Sequence, residues 1–118
     1  MSKDTTNGIG SWVAVDLDGT LAYFDHWRGI NHVGYPLKPM VAIVRRLLAD
    51  GMEVRIFTAR ANDPAAIKPV QDWCEEHLGK RLRVTATKDY EMSICFDDRA
   101  IQVEHNTGKL LTGRLIGA

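Results

Sequence analysis

Residues 11–21 read SWVAVDLDGTL, an apolar and β-branched run that meets two aspartates and then a glycine. Residues 11–17 have the composition of a buried strand, and Asp18-Gly19 is a turn signal that ends it. Alternate residues of a strand share a face, but a turn at Gly19 can re-aim the second carboxylate. The stretch therefore predicts a buried strand that presents Asp16 and Asp18 at its carboxyl end.

Outside this stretch, the apolar periodicity predicts two helices and several further strands. Helices are expected over residues 39–50 and 64–79, and strands over residues 53–58, 82–86, 93–96 and 101–103. Strands that alternate with helices imply βαβ units and a largely parallel sheet. Crossovers of this kind are right-handed, and helices are expected on both faces. The predicted fold is therefore a three-layer α/β/α sandwich, Rossmann-like, with a sheet of about five strands.

Composition predicts one folded α/β domain over residues 11–118, preceded by a flexible tail at residues 1–10. The chain has 118 residues, 45% of them hydrophobic and 25% charged, and its net charge is zero. A neutral charge argues against a dedicated nucleic-acid binder. The two cysteines, Cys74 and Cys95, form no CxxC pair and are expected to be reduced thiols. Because the sequence has no signal-peptide core and no membrane-length apolar stretch, a cytoplasmic location without membrane contact is expected.

Polar side chains follow three of the predicted strands at the point where each strand ends. They are Asp16 with Asp18, Thr58 with Arg60, and Asp97 with Asp98. Ligands of parallel α/β sheets bind outside the carboxyl ends of the strands, where the strand order reverses. Four carboxylates at one such pocket repel one another unless a cation neutralises them. Magnesium prefers hard oxygen ligands, and the sequence has no histidine or cysteine cluster of the kind that zinc prefers.

Phosphoryl transfer is the chemistry that such a set of residues fits. A carboxylate nucleophile, here Asp16, needs its own charge screened and an electrophilic partner, and a phosphoryl group bound to magnesium meets both needs. Asp18, two residues later, is suited to protonate the leaving oxygen and then to deprotonate water. Thr58 and Lys88 are candidate donors to the phosphoryl oxygens, and Arg60 is a candidate for a bidentate phosphate contact.

The motif DLDGTL at residues 16–21 resembles the first motif of the haloacid dehalogenase (HAD) superfamily, DxDGT after an apolar strand. Thr58 is similar to the second-motif Ser or Thr, and Lys88 to the third-motif lysine. The acidic pair Asp97-Asp98 is similar to the fourth motif, and the four motifs come in the family's order. Lys88 is the weakest match, because it lies only a few residues before the fourth-motif strand.

The resemblance implies a role for each matching residue. Asp16 would be the nucleophile and a magnesium ligand, and Asp18 would be the general acid/base and would bind magnesium through its backbone carbonyl. Thr58 and Lys88 would hold the phosphoryl group. The implied metal ligands are Asp16, Asp18, Asp97 and Asp98. An aspartate at position 18 is the pattern of phosphatases, whereas dehalogenase members lack it, so dehalogenation is not expected.

No large cap domain fits between the motifs of this chain, because residues 22–36 have room only for a small flap. The resemblance therefore implies a capless member, which would accept a large phosphoester or take a lid from a partner subunit or a second copy. A looser resemblance joins the segment TAR at residues 58–60 and the segment DDR at residues 97–99 to the phosphatase half of polynucleotide kinase-phosphatases.

Three functions stay open at this point. The first is a magnesium-dependent phosphomonoester hydrolase that acts through an aspartyl-phosphate on Asp16, with a small or large phosphorylated substrate. The second is a nucleic-acid 3′-end phosphatase that works with a partner, against which the neutral charge argues mildly. The third is a module without activity that binds phosphate or a protein. A binding module has no need for Asp18 as an acid/base, so the intact motifs favour an enzyme.

Overall fold

Four parallel strands form a sheet at the centre of the part of the chain that the computed structural model describes, residues 11–111. In chain order the elements are β1 (Trp12–Val15), α1 (Lys38–Ala49), β2 (Val54–Phe57), α2 (Ile67–Leu78), β3 (Arg83–Thr85) and β4 (Met92–Phe96). Two short 3₁₀ helices, Ala59–Asn62 and Pro64–Ala66, connect β2 to α2. The tail predicted for residues 1–10 lies outside the described residues.

The strands are ordered β3-β2-β1-β4, and every neighbouring pair is parallel. From β1, the next two strands along the chain lie on one side, and β4 lies on the other. The strand order therefore reverses between β1 and β4, which is the place where ligands of such sheets bind. The predicted α/β class with a parallel sheet is confirmed.

The strand predicted for residues 101–103 is wrong. Val103 makes only an isolated antiparallel bridge to Leu110, and the amide of Leu111 donates to the carbonyl of Gln102 at 2.8 Å. This segment folds back on itself, so its backbone groups pair locally and do not extend the sheet. Within residues 11–111 the sheet has four strands, one fewer than predicted.

The core lies between one face of the sheet and the two long helices. Val13, Val15 and Ile56 point from the strands into a cluster that also contains Val44 of α1 and Val70 of α2, and all five are buried. Burying an aliphatic side chain of this size stabilises the fold by about 1.5–3 kcal/mol. The βαβ units of α1 and α2 step in the same direction along the sheet, so right-handed crossovers place both helices on this one face.

The opposite face of the sheet is covered by a short crossover, residues 86–91, which connects β3 to β4. There the indole Nε1 of Trp12 donates to Asp89 Oδ1 at 2.8 Å. The guanidinium of Arg55 stacks on the Trp12 ring at 4.4 Å and pairs with Glu53 at 2.7 Å. Six residues leave no room for a packed helix, so within residues 11–111 both long helices lie on one face.

The flap, residues 22–36, folds as a closed loop beside the carboxyl end of β1. The amide of Tyr23 donates to the carbonyl of Tyr35 at 2.8 Å, and the two rings stack with their centroids 4.7 Å apart. Gly34 makes this closure sterically possible, because a Cβ there would lie 1.9 Å from the Tyr23 carbonyl oxygen. The flap is thereby anchored next to the edge of the sheet that carries the aspartates.

No helix among residues 11–111 has the length and apolar character needed to cross a membrane. Both cysteines are free thiols, as predicted. Burial raises the pKa of the Cys74 thiol to about 12, which keeps it protonated and unreactive at neutral pH.

Candidate active site

Three carboxylates meet where the strand order reverses. Asp16 directly follows β1, and Asp97 and Asp98 directly follow the neighbouring strand β4. The Asp16 amide donates to the Phe96 carbonyl at 2.9 Å, which continues the β1–β4 pairing past the ends of the strands. One carboxylate oxygen from each of the three aspartates lies within 4.8 Å of the others. This acidic trio is the centre of the candidate site.

Thr20 joins the two halves of the acidic trio. Its Oγ1 lies 3.0 Å from Asp16 Oδ2 and 3.1 Å from Asp98 Oδ1, and it accepts the Asp98 backbone N–H at 2.9 Å. A hydroxyl has one proton, so it donates to one carboxylate at a time. Although Thr20 lies inside the DLDGTL motif, its role was not predicted, because it depends on a contact 78 residues away in sequence.

Gly19 allows the closest approach within the site. Its φ of +89° lies in the region that residues with a side chain rarely adopt, and a Cβ at this position would lie 2.6 Å from Asp98 Oδ2. The turn after β1 therefore requires glycine for two reasons, its backbone conformation and the space taken by the Asp98 carboxylate.

The charge state of Asp16 reflects this crowding. Burial raises the pKa of Asp16 to about 7, and the hydrogen bond with Asp98 and the charges of Asp97 and Asp98 act in the same direction, while the Thr20 hydroxyl lowers it. None of the ion pairs described for residues 11–111 places a lysine or arginine on this trio. Within residues 11–111 the trio thus has no ion-paired lysine or arginine, and its all-oxygen donor set could hold a hard divalent cation.

Asp18 is close in sequence to the trio, but its side chain points to a different partner. Arg60 Nε donates to Asp18 Oδ2 at 2.9 Å, and Arg60 Nη2 donates to Asp18 Oδ1 at 2.8 Å. Arg60 is buried, at 8% exposure, and its Nη1 donates to the flap carbonyl of His32 at 3.0 Å. The structure thus brings Arg60 to Asp18 and not to the wall of the open cavity at the trio.

That cavity has a volume of about 610 Å³ and opens to solvent. It is lined by Asp16, Asp18, Gly19, Phe24, Phe57, Thr58, Ala59, Asn62, Ala86, Asp97, Asp98 and Arg99. Thr58, predicted as the last residue of its strand, lies one residue beyond the end of β2. It is buried, and its Oγ1 accepts the Arg60 backbone N–H at 3.2 Å. Lys88 lies exposed in the 86–91 crossover and is not among the residues that line the cavity.

Two polar residues of the cavity wall were not predicted as site residues. Arg99 directly follows the acidic pair, and its amide donates to Asp97 Oδ1 at 2.8 Å. It places a cation on the cavity wall, and its position in the segment DDR was the available signal. Asn62 ends the first 3₁₀ helix, and an isolated amide in a connecting segment carries no sequence signal for function.

Comparison with known proteins gives no family assignment: no protein-family model, curated protein or solved structure matches this chain. The fold and the site together define an α/β protein with a parallel sheet and an acidic cavity at its switch point. Its function is therefore inferred from the residues of that cavity.

The raised pKa of Asp16 makes the stability of the protein depend on pH. Because the folded pKa, about 7, exceeds the ordinary value of 3.8, the folded state binds the proton more tightly. Without a divalent cation, this contribution is present below about pH 4 and is lost as the pH rises through 7. Asp16 is only partly buried, so we expect a loss of about 1–2 kcal/mol after solvent screening.

Urea unfolding at pH 5 and pH 8 in EDTA measures this loss, and Asp16→Asn is the control that removes it. If the free energy of unfolding changed equally with pH in the two proteins, the pH dependence could not be due to the raised pKa of Asp16. Adding Mg²⁺ at pH 8 is expected to restore the wild-type stability, since a bound cation offsets the repulsion.

Proposed function

We propose that this chain is a magnesium-dependent phosphomonoester hydrolase, a small capless protein of the HAD type. The observation that carries the proposal is the acidic trio at the switch point, with Asp16 inside a cavity that Thr58 also lines. In this proposal the three-layer HAD sandwich is reduced, because the 86–91 crossover covers the face that a second helical layer would occupy.

The first half of the proposed reaction forms an aspartyl-phosphate. A carboxylate oxygen of Asp16 attacks phosphorus, and the bond between phosphorus and the ester oxygen breaks. The leaving oxygen takes the proton from Asp18 and departs as an alcohol, which leaves Asp18 ionised. In this proposal the Thr58 hydroxyl and the Arg99 guanidinium, which both line the cavity, would donate to the phosphoryl oxygens.

The second half restores the enzyme. A water molecule attacks phosphorus, and the ionised Asp18 accepts a proton from it. The bond between phosphorus and the Asp16 oxygen breaks, inorganic phosphate leaves, and Asp16 is again a free carboxylate. Asp18 ends protonated, ready for the next ester, so the two halves balance in atoms and charge.

Mg²⁺ is the cofactor of this proposal. Asp16, Asp97 and Asp98 would hold it through carboxylate oxygens, with the backbone carbonyl of Asp18 as a further ligand. It would screen the nucleophile's charge and polarise a phosphoryl oxygen. The pKa of Asp16, raised to about 7, supports this. At neutral pH much of this carboxyl group is protonated and cannot attack phosphorus, and a bound cation would favour its charged form.

The substrate class follows from the open cavity. Residues 22–36 form a small flap that contributes only Phe24 to the cavity lining, and Asp98 is exposed, so a phosphate group carried on a large molecule would have access. A lid supplied by a partner subunit or a second copy of this chain belongs to the same proposal.

The test is hydrolysis of 4-nitrophenyl phosphate in Mg²⁺ and in EDTA. Turnover is expected with Mg²⁺ and should fall to background with the chelator. A panel of sugar phosphates, nucleotides and 3′-phosphorylated oligonucleotides then separates a general hydrolase from a nucleic-acid end phosphatase. No turnover of any member in Mg²⁺ would overturn the proposal and favour a binding module.

A further inference from the structure

Both carboxylate oxygens of Asp18 are held by one arginine. The Arg60 guanidinium makes two parallel hydrogen bonds to them, at 2.9 and 2.8 Å, although the two residues are 42 positions apart. The side chain of Arg60 is 5% exposed and that of Asp18 is 21% exposed. A bidentate pair of this kind fixes the plane and the direction of the carboxylate as well as its distance.

Arg60 is itself held from three other sides. Its Nη1 donates to the His32 carbonyl of the flap at 3.0 Å, and its guanidinium stacks on the Trp27 ring at 4.8 Å. Its backbone N–H donates to Thr58 Oγ1 at 3.2 Å. The guanidinium has few free donors and is buried behind Asp18, which makes it a poor phosphate ligand and a rigid support for a carboxylate.

The pair also separates Asp18 from the acidic trio. Asp16, Asp97 and Asp98 place an oxygen within 4.8 Å of one another, and the Asp18 side chain is not part of that group. A fourth free carboxylate in the same cavity would compete for a cation there and add repulsion. Arg60 balances this charge whenever Asp18 is ionised, and it keeps the Asp18 oxygens away from the trio.

We propose that Arg60 is a positioning residue that fixes the Asp18 carboxylate beside the acidic trio and couples it to the flap through Trp27 and His32. The inference rests on the proposed function, in which Asp18 gives a proton to the leaving oxygen. This positioning role for Arg60 takes the place of the bidentate phosphate contact that was predicted from the sequence. Misplacing an acid by about 1 Å costs about 10²-fold in rate, so the loss of this support has a measurable effect.

The experiment compares two substrates that differ in their need for a proton. The leaving oxygen of glycerol 2-phosphate requires protonation, whereas nitrophenolate leaves 4-nitrophenyl phosphate without it. Arg60→Ala is expected to lower kcat/KM about 100-fold for the alkyl ester and less than about 5-fold for the aryl ester. Since kcat/KM covers the steps up to departure of the leaving group, slow hydrolysis of the aspartyl-phosphate does not mask the difference.

Two further variants separate positioning from a structural role. Arg60→Lys keeps the charge but loses the bidentate fork, and it is expected to show the same preference for the aryl ester with a smaller loss. It also replaces Arg60→Ala if that variant does not fold. In an Asp18→Asn background, Arg60→Ala is expected to cause no additional loss on the alkyl ester, because the two residues act as one unit.

The chain offers a matched control in Arg55. Like Arg60, it is buried, stacks on a tryptophan and pairs with an acid, but it lies within β2 and does not line the acidic cavity. Arg55→Ala is expected to lower stability without changing the ratio of the two kcat/KM values.

The possible results distinguish this inference from the function beneath it. Equal losses on both esters in the Arg60 variants, or additive losses with Asp18→Asn, would overturn the positioning role, while Mg²⁺-dependent turnover by the wild type leaves the hydrolase proposal intact. Wild-type protein that hydrolyses neither ester in Mg²⁺ would overturn both.

Discussion

Asp16→Asn is expected to lower kcat for 4-nitrophenyl phosphate by about 10⁴-fold or more, because the amide cannot form the aspartyl-phosphate. The same change removes a partly buried carboxylate that is crowded by Asp97 and Asp98, so the variant should be at least as stable as the wild type at pH 8 in EDTA. Steady-state kinetics in Mg²⁺ and thermal unfolding measure the two effects.

The control for this variant is Asp72→Asn. Asp72 lies on α2, pairs with Lys68 and Arg81 at the surface, and is remote from the acidic cavity. It should retain wild-type kcat. Substantial activity in Asp16→Asn would refute covalent catalysis by Asp16, and a collapse of its thermal transition would mean that the activity loss reports unfolding.

Gly19→Ala is expected to lower kcat/KM and the affinity for Mg²⁺ by about 10- to 100-fold, with only a modest loss of stability. The added Cβ would lie 2.6 Å from Asp98 Oδ2, and the end of that side chain can rotate away. The fold therefore tolerates the change, but Asp98 leaves its place beside Asp16. Kinetics over a Mg²⁺ titration measure the effect.

Gly51→Ala separates this displacement from backbone strain. Gly51 has a similar φ, +82°, and a Cβ there meets no atom within 4 Å. Both variants should lose about 1–2 kcal/mol from the positive φ, but only Gly19→Ala should lose activity. Equal kinetics in the two variants would show that the approach of Asp98 to Gly19 has no functional consequence.

The elements whose signals are local were predicted well from the sequence. The strand expected over residues 11–17 is β1, Trp12–Val15, and the helix expected to end at Gly79 ends there, with that glycine at φ +79°. The helix expected from residue 64 begins as the 3₁₀ helix Pro64–Ala66 and continues as α2 from Ile67, and the carboxylate of Asp63 accepts the Ala65 N–H at 3.0 Å at its start. In each case a residue and its near neighbours in sequence determine the outcome.

The parts that depend on tertiary placement were not predicted. Residues 101–103 have a strand's composition, but the turn that follows them provides a nearer pairing partner. Composition likewise could not show that Arg60 faces Asp18, since that depends on how the flap and the 3₁₀ helix after β2 pack. The sequence shows that the segment before β4 is short, but the placement of both long helices on one face follows from the strand order, which composition does not give.

Because β4 lies at the edge of the sheet, the acidic trio can be less stable than the core of the fold. The buried cluster is built from β1, β2 and the two long helices, and β4 adds to it only the partly buried Phe96. Ser93 and Ile94 are exposed, so few apolar contacts oppose a local opening in which β4 leaves β1. Such a local opening would move Asp97 and Asp98 away from Asp16, so that the three carboxylates are no longer close together while the core stays folded. If the chain acts as the proposed hydrolase, such an opening would stop catalysis while the core stays folded, and a cation bound at the trio would also hold β4 against β1.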